Sequence, residues 1–286
     1  MNVSLIGLGD MGHDIARHVV AGGFTVTGFD VDPERRNAAA ALGVDVQNTL
    51  AGAVAHAKVH IVMVATDEQS EQVTREILEE GVAGSVIVIT ATNGPKTMQT
   101  LAKACRERGF GFVDAPVCFG RVGAREGTLA SLCGGSDADI ETVRPVLDCY
   151  SRAVHHIGPV GAGQIGKACN NMMHWAHCVA NYEVLLLAKR YGINAQRMRE
   201  VLLECPAENG TLRRWDSTRF TWHEKDMDLA LDMAQAGDIP MPLFGQVDQL
   251  VKRLDKEMVK ELLHGPEADY LGWHLTALPP EKGGLN

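Results

Sequence analysis

The chain opens with a short apolar run, Val3–Ile6, that leads directly into Gly7-Leu8-Gly9-Asp10-Met11-Gly12, after which helical spacing begins. Few sequence features constrain a fold more. A strand must turn into a helix within a few residues, and glycines at this spacing permit it. The first makes the tight turn, the second lets backbone approach a pyrophosphate, and the third lets helix and strand pack closely. The helix start then offers N–H groups and the positive end of its dipole to an anion. A glycine turn of this pattern also arises in α/β proteins that bind no nucleotide. Asp30 weighs against that reading, because it closes the second apolar run eighteen residues after Gly12. A carboxylate there can accept hydrogen bonds from both ribose hydroxyls and repels a 2′-phosphate. The expected cofactor is therefore NAD rather than NADP, with Arg35 and Arg36 read as a solvated helix face.

Further apolar runs follow at Phe24–Phe29, His60–Ala65 and Ser85–Thr90, with weaker ones at Gly111–Val113, Ser131–Cys133 and Val154–Ile157. They are continuous and rich in Val and Ile, as strands buried on both faces read. Helical patterns separate them at Met11–Ala21, Pro33–Ala41, Ser70–Glu79 and Lys96–Glu107. Regular alternation predicts an α/β fold with a doubly wound parallel sheet. The character changes at the glycine-rich Gly158–Gly163. From Gln164 to about Tyr191 there is no proline, and helical spacing could run roughly 40 Å as one helix. Helices are expected at Ala195–Glu204, Lys225–Ala236 and Leu243–Leu263, with no strand and an irregular tail after Gly265. In 286 residues this makes two domains, 1–162 for the dinucleotide and 163–286 all-α.

Composition excludes other classes. Lys plus Arg total 27 against 36 acidic residues, a formal charge of −9 without a basic block, which suits no nucleic-acid partner. No apolar run is long enough to span a bilayer, and Val3–Ile6 runs at once into glycines, unlike a signal peptide. Seven scattered cysteines read as reduced thiols of a cytoplasmic protein.

Three more segments join the glycine loop in order: Asp114 to Ala130 (DAPVCFGRVGAREGTLA), Gly158 to Asn171 (GPVGAGQIGKACNN), and Lys225-Asp226. On these four motifs, to about residue 260, the chain resembles the β-hydroxyacid dehydrogenases, the group of 3-hydroxyisobutyrate dehydrogenase and tartronate semialdehyde reductase. The resemblance implies a Rossmann domain joined by a long interdomain helix to an all-α domain. It also implies an active site between the domains and pairing of helical domains into homodimers or homotetramers. The implied activity is NAD-dependent oxidation of a small-molecule β-hydroxyacid, or reduction of the matching aldehyde or keto acid.

Lys167 and Asn171 are four apart on the predicted long helix and so share a face. Reducing a carbonyl needs a proton donor beside the oxygen, and the reverse reaction needs a base; a lysine can be either. By resemblance Lys167 is the catalytic lysine and Asn171 its partner, both also contacting substrate. Cofactor contacts implied are Gly7, Leu8, Gly9, Asp10, Met11 and Gly12, Asp30, Val64-Ala65 where the family carries Leu-Pro, Thr92 near the nicotinamide ribose, and Lys225 over the nicotinamide. Lys225 falls at a predicted helix start, where the dipole disfavours a cation, and Asp226 is expected to cap that helix. Where the family has Ser-Gly-Gly to cradle a substrate carboxylate, this chain has Cys118-Phe119-Gly120. Phe119, with Trp222 and His223, suggests a larger or partly aromatic substrate; core packing is the other reading of each. His174, His177 and Cys178 have a spacing a metal could use, but three ligands from one helical stretch make poor tetrahedral geometry, and no metal is expected. The rival readings are an imine reductase of this architecture, which generally lacks the lysine, and a catalytically silent nicotinamide-binding regulator. A 6-phosphogluconate dehydrogenase would need a longer helical domain.

Overall fold

The structure is a computed structural model that describes residues 1–285. The chain forms two compact units, Met1–Lys167 and the remainder from Ala168.

The first unit alternates strand and helix: β1 (Asn2–Ile6), α1 (Asp10–Ala21), β2 (Thr25–Phe29), α2 (Pro33–Ala40), β3 (Asp45–Val46), α3 (Leu50–Val54), β4 (Val59–Val62), α4 (Asp67–Glu80), β5 (Val86–Ile89), α5 (Pro95–Glu107), β6 (Gly111–Asp114), β7 (Val117–Cys118), α6 (Gly120–Glu126), β8 (Leu129–Gly134), α7 (Asp137–Leu147) and β9 (Ser151–Gly158). The sheet order is β3-β2-β1-β4-β5-β6-β8-β7, with β9 beside β8. From β3 to β6 every pairing is parallel, and the order reverses between β1 and β4. Dinucleotides bind at such a switch point. Beyond β6 the expected parallel arrangement gives way: β8 runs antiparallel to β6 and β7 and parallel to β9. The two-residue strands β3 and β7 carry no readable pattern in sequence.

Both faces of the sheet are covered. Val3, Leu5, Val59, Ile61, Val86 and Val88 pack into one core, and Ile6, Val62, Ile87 and Ile89 into another. Alternate residues of a strand go to opposite faces, so only a continuous apolar run satisfies both. One polar row crosses this interior. Ser4 Oγ lies 2.8 Å from His60 Nδ1, and His60 Nε2 lies 2.9 Å from Ser85 Oγ, which donates to the Val82 carbonyl. Burial pushes the His60 pKa down to about 4.

The 29-residue helix α8 (Ala162–Arg190) begins in the first unit and continues through the second. The second unit adds α9 (Ala195–Leu202), α10 (Gly210–Arg213), a 3-10 turn at Trp215–Ser217, α11 (His223–Ala236), α12 (Pro242–Val251) and α13 (Lys256–His264). Its core joins Trp175, Tyr182 and Leu185 of α8 to Trp215, Met227 and Leu262. Two sequence expectations fail here. The stretch Leu243–Leu263 is two helices, because Asp255 accepts from Met258 N and starts α13 afresh. The tail is not irregular throughout: β10 (Ala268–Tyr270) and β11 (Trp273–Leu275) form an antiparallel hairpin. Three-residue strands are too short to show a period. Among the described residues no helix is long and apolar enough to cross a membrane.

Candidate active site

The glycine loop has the geometry its spacing requires. Gly7 has φ +94°, and a Cβ there would lie 2.2 Å from the Met63 carbonyl; one on Gly12 would lie 1.9 Å from the Gly7 carbonyl. Gly9 is the N-cap of α1 and brings no side-chain acceptor to it. A cavity of about 290 Å³ opens beside it, lined by Leu8, Gly9, Asp10, His13, Arg35 and Arg121 among others. Exposed Asp10, in the first turn, pairs with Arg121. Met11 is partly buried against the first core.

Asp30 is buried at the end of β2. Its Oδ2 accepts from Leu8 N at 2.7 Å and its Oδ1 from Asp32 N at 2.9 Å. A carboxylate has roughly four acceptor positions, so these two bonds leave capacity for further donors. Arg35 and Arg36 are not simply a solvated face. Arg36 Nη1 donates to the Asp30 carbonyl at 2.6 Å, and Arg35 Nη1 lies 3.7 Å from Asp30 Oδ2. The residues present thus fit a dinucleotide: a turn closed to a Cβ at Gly7 and Gly12, a helix start without a side-chain cap and a buried carboxylate in line.

β4 stops at Val62, so Val64 and Ala65 lie in the following loop rather than in a strand. Val64 Cγ1 lies 3.5 Å from the Cβ position of Gly7, and Ala65 N donates to Gln69 Oε1 at 2.8 Å. Thr92 follows β5 in a braced loop. Buried Asn93 donates through Nδ2 to Asp67 Oδ1 at 2.7 Å, and Asp67 Oδ2 accepts from Gly94 N and Thr97 Oγ1. These loops leave the C-terminal ends of parallel strands, where ligands of open α/β sheets bind.

Asp114 ends β6 and anchors the start of α8: Oδ1 accepts from Gly161 N at 2.7 Å and Oδ2 from Gln164 N at 2.9 Å. Burial pushes its pKa up to about 6, against the pull of those N–H donors. The helix start sits close to the sheet, since a Cβ on Gly163 would lie 2.3 Å from the Leu132 carbonyl. One turn on, Lys167 Nζ donates to the Val117 carbonyl at 2.8 Å. Val117 immediately precedes Cys118-Phe119-Gly120. Cys118 is buried in β7, Phe119 is left-handed at φ +81°, and Gly120 follows at φ +54°. The Phe119 ring packs against the first core, beneath the Arg152 guanidinium at 4.1 Å.

In the helical unit Asn171 is buried and its Oδ1 accepts from Asn170 Nδ2 at 3.1 Å. Lys225 lies in the first turn of α11, between Glu224 and Asp226. Asp226 is not the cap: Trp222 holds that position, and Asp226 Oδ2 accepts from Trp175 Nε1 at 3.1 Å. His223 Nδ1 lies 3.1 Å from the Phe220 carbonyl, with its ring edge-on to Trp175, while Trp222 is exposed. His174 Nδ1 lies 2.9 Å from Thr211 Oγ1. Among the described residues no three His, Cys, Asp or Glu side chains are grouped to hold a metal.

A family model described as the NAD binding domain of 6-phosphogluconate dehydrogenase matches residues 2–182. One described as NAD-binding of NADP-dependent 3-hydroxyisobutyrate dehydrogenase matches residues 161–264. A probable 3-hydroxyisobutyrate dehydrogenase of Mycobacterium tuberculosis is 30% identical over 260 residues, covering 84% of this chain and 88% of its own length. The chain belongs to the β-hydroxyacid dehydrogenase family. A 2-(hydroxymethyl)glutarate dehydrogenase of Eubacterium barkeri is 28% identical over 264 residues, covering 87% and 88% of the two chains. The structure of Mycobacterium tuberculosis 3-hydroxyisobutyrate dehydrogenase with L-serine superimposes with a TM-score of 0.83 at 27% identity, covering 92% of this chain and 99% of that one.

As a β-hydroxyacid dehydrogenase the chain is an NAD-binding oxidoreductase of the type that acts on a CH–OH group. Phe119, where the resemblance implies glycine, is a non-glycine residue that holds a left-handed backbone. Sequence reasoning passed over four polar groups of this region: Asp67, Asn93, Asp114 as an anchor, and Gln164. Asp114 and Gln164 stand inside the quoted motifs, but a motif does not say which of its polar residues are buried.

Proposed function

We propose that this dehydrogenase oxidises the hydroxyl of a β-hydroxyacid, or reduces the matching aldehyde or keto acid, with Lys167 carrying the proton. One observation supports this above the others: Lys167 Nζ is held on the Val117 carbonyl, one residue before the substrate segment, by a helix whose start is tied to Asp114. Neutral Lys167 takes the alcohol proton in oxidation; in the other direction its ammonium polarises the carbonyl and protonates the forming alkoxide. The bond to Val117 aims Nζ and leaves its other positions for the substrate oxygen. Asn171, one turn along α8, steadies that oxygen or the lysine, and the backbone of Cys118–Gly120 receives the substrate carboxylate. A bound nicotinamide would supply hydride chemistry at the substrate carbon. Gly7–Gly12 would hold its pyrophosphate, Asp30 its adenosine ribose, and Val64, Ala65, Thr92 and Lys225 its nicotinamide end.

An imine reductase reading is disfavoured by Lys167, and a silent regulator by the joint presence of Lys167, Asn171 and Lys225. We assign a substrate bulkier than 3-hydroxyisobutyrate on the loss of glycine at position 119; a panel of short, long and aromatic β-hydroxyacids tests this, and preference for the short ones overturns it. Met173, Val184 and Leu187, exposed along α8, and exposed Tyr191 just after it support pairing of helical units in a homo-oligomer. Seven free cysteines support a cytoplasmic setting. Lys167→Ala is expected to cut turnover by several orders of magnitude while NAD affinity, read by fluorescence titration, stays near wild type. Surviving turnover overturns the lysine assignment.

A further inference from the structure

Gln164 is wholly buried, and both ends of its carboxamide are used. Nε2 donates to the Ala91 carbonyl at 2.9 Å, and Oε1 accepts from Asn93 N at 3.0 Å. These groups belong to the residues on either side of Thr92. The backbone of Gln164 donates to Asp114, and three residues later the same helix carries Lys167. One side chain thus grips the Thr92 loop from both sides while its main chain is fixed to the sheet. The two bonds have opposite polarity, and a carboxamide supplies both a donor and an acceptor without titrating.

We propose that Gln164 is a positioning residue: its carboxamide fixes the Thr92 loop to the first turn of α8 and so sets the spacing between the nicotinamide end of the cofactor and Lys167 Nζ. The inference rests on the reading of Lys167 as proton carrier and of Thr92 as a contact of the nicotinamide ribose. The loop also has a brace that does not involve Gln164, through the Asn93 side chain to Asp67 and Ser70. What Gln164 adds is registry between loop and helix. Misplacement by about 1 Å can slow a reaction on the order of 100-fold, even when the altered residue touches no reacting atom.

Gln164→Glu is the sharpest test. An ionised glutamate still accepts from Asn93 N but turns an oxygen toward the Ala91 carbonyl; protonation restores the missing donor. Buried carboxyls can hold their proton to about pH 8. The kcat of Gln164→Glu, divided by that of wild type, is expected to fall about 10- to 100-fold as pH rises from about 6 to about 9, with KM for the hydroxyacid changed less. Asp67 and Asp114, in the same network, and Lys167, on the same helix, are present in both proteins, so division by wild type isolates the effect of the substitution. Gln164→Met, which fills the space without either bond, is expected to lose kcat at every pH. In both variants a primary deuterium isotope effect on hydride transfer should increase. A purely structural role lowers the melting temperature but leaves kcat per folded site and the isotope effect at wild-type values. That result for both variants, with Lys167→Ala inactive, overturns the positioning role alone. An active Lys167→Ala overturns the lysine reading and this proposal with it.

Discussion

The two units stabilise their interiors in different ways. In the sheet unit, buried polar side chains are wired to backbone and to one another: Asp114 to Gly161 and Gln164, Gln164 to Ala91 and Asn93, His60 to Ser4 and Ser85. In the helical unit the buried polar side chains include two cations set on helix ends, Lys189 and Arg199. Lys189 Nζ donates to the carbonyls of Glu261, Leu262 and Gly265 at the end of α13, and Arg199 donates to those of Leu212 and Arg213 at the end of α10. A cation there meets the negative end of the dipole. The first arrangement fixes distances between loops; the second ties helices together.

Four measurements would sharpen or break that contrast. Lys189→Met removes three hydrogen bonds to the end of α13, of which the one to the Leu262 carbonyl is buried, and should cost about 3 kcal/mol in urea unfolding. A loss below about 1 kcal/mol would show that packing, not the cation, secures α13. The second concerns pH in the sheet unit. The folded state refuses His60 a proton until about pH 4, whereas the unfolded chain takes it near 6.5, so stability falls on acidification through that interval. Asp114 acts in the opposite sense: folded, it keeps its proton up to about 6 against 3.8 unfolded, so stability falls as pH rises between them. Each is worth about 3 kcal/mol and the two nearly cancel between about pH 4 and 6. His60→Leu should uncover the Asp114 slope, with stability falling as pH rises; a flat profile in that variant would break the pairing.

Third, Phe119 combines a strained backbone with a packed ring. Phe119→Ala loses the ring and keeps the strain, whereas Phe119→Gly loses both. The glycine variant should be more stable than the alanine variant by about 1 kcal/mol, with a better kcat/KM for short hydroxyacids. Equal stability of the two would remove the strain argument. Last and smallest, Arg121→Ala deletes an exposed pair with Asp10 and should change stability by less than about 1 kcal/mol.

Much of the first unit was legible because its chemistry is local. Continuous Val and Ile runs, glycines at fixed spacing and a lysine four before an asparagine are statements about neighbours along the chain. What escaped reading was either too short or too distant. The β7 pair Val117-Cys118 and the strands of the 268–275 hairpin are shorter than any period. Leu243–Leu263 reads as one apolar helix, and only the capping bond of Asp255 divides it. Asp226 looks like a cap beside Lys225, yet it serves a tryptophan 51 positions away.

By itself the amino-acid order determined the α/β alternation, the dinucleotide turn and the helix that bears Lys167, since periodicity, glycine conformation and capping act over a few residues. Tertiary structure alone decided that β8 reverses direction, that Lys167 rests on Val117 and that Gln164 grips the backbone around Thr92. Those outcomes depend on burial, and burial makes an unpaired polar group costly enough that segments 50 to 73 positions apart must find one another.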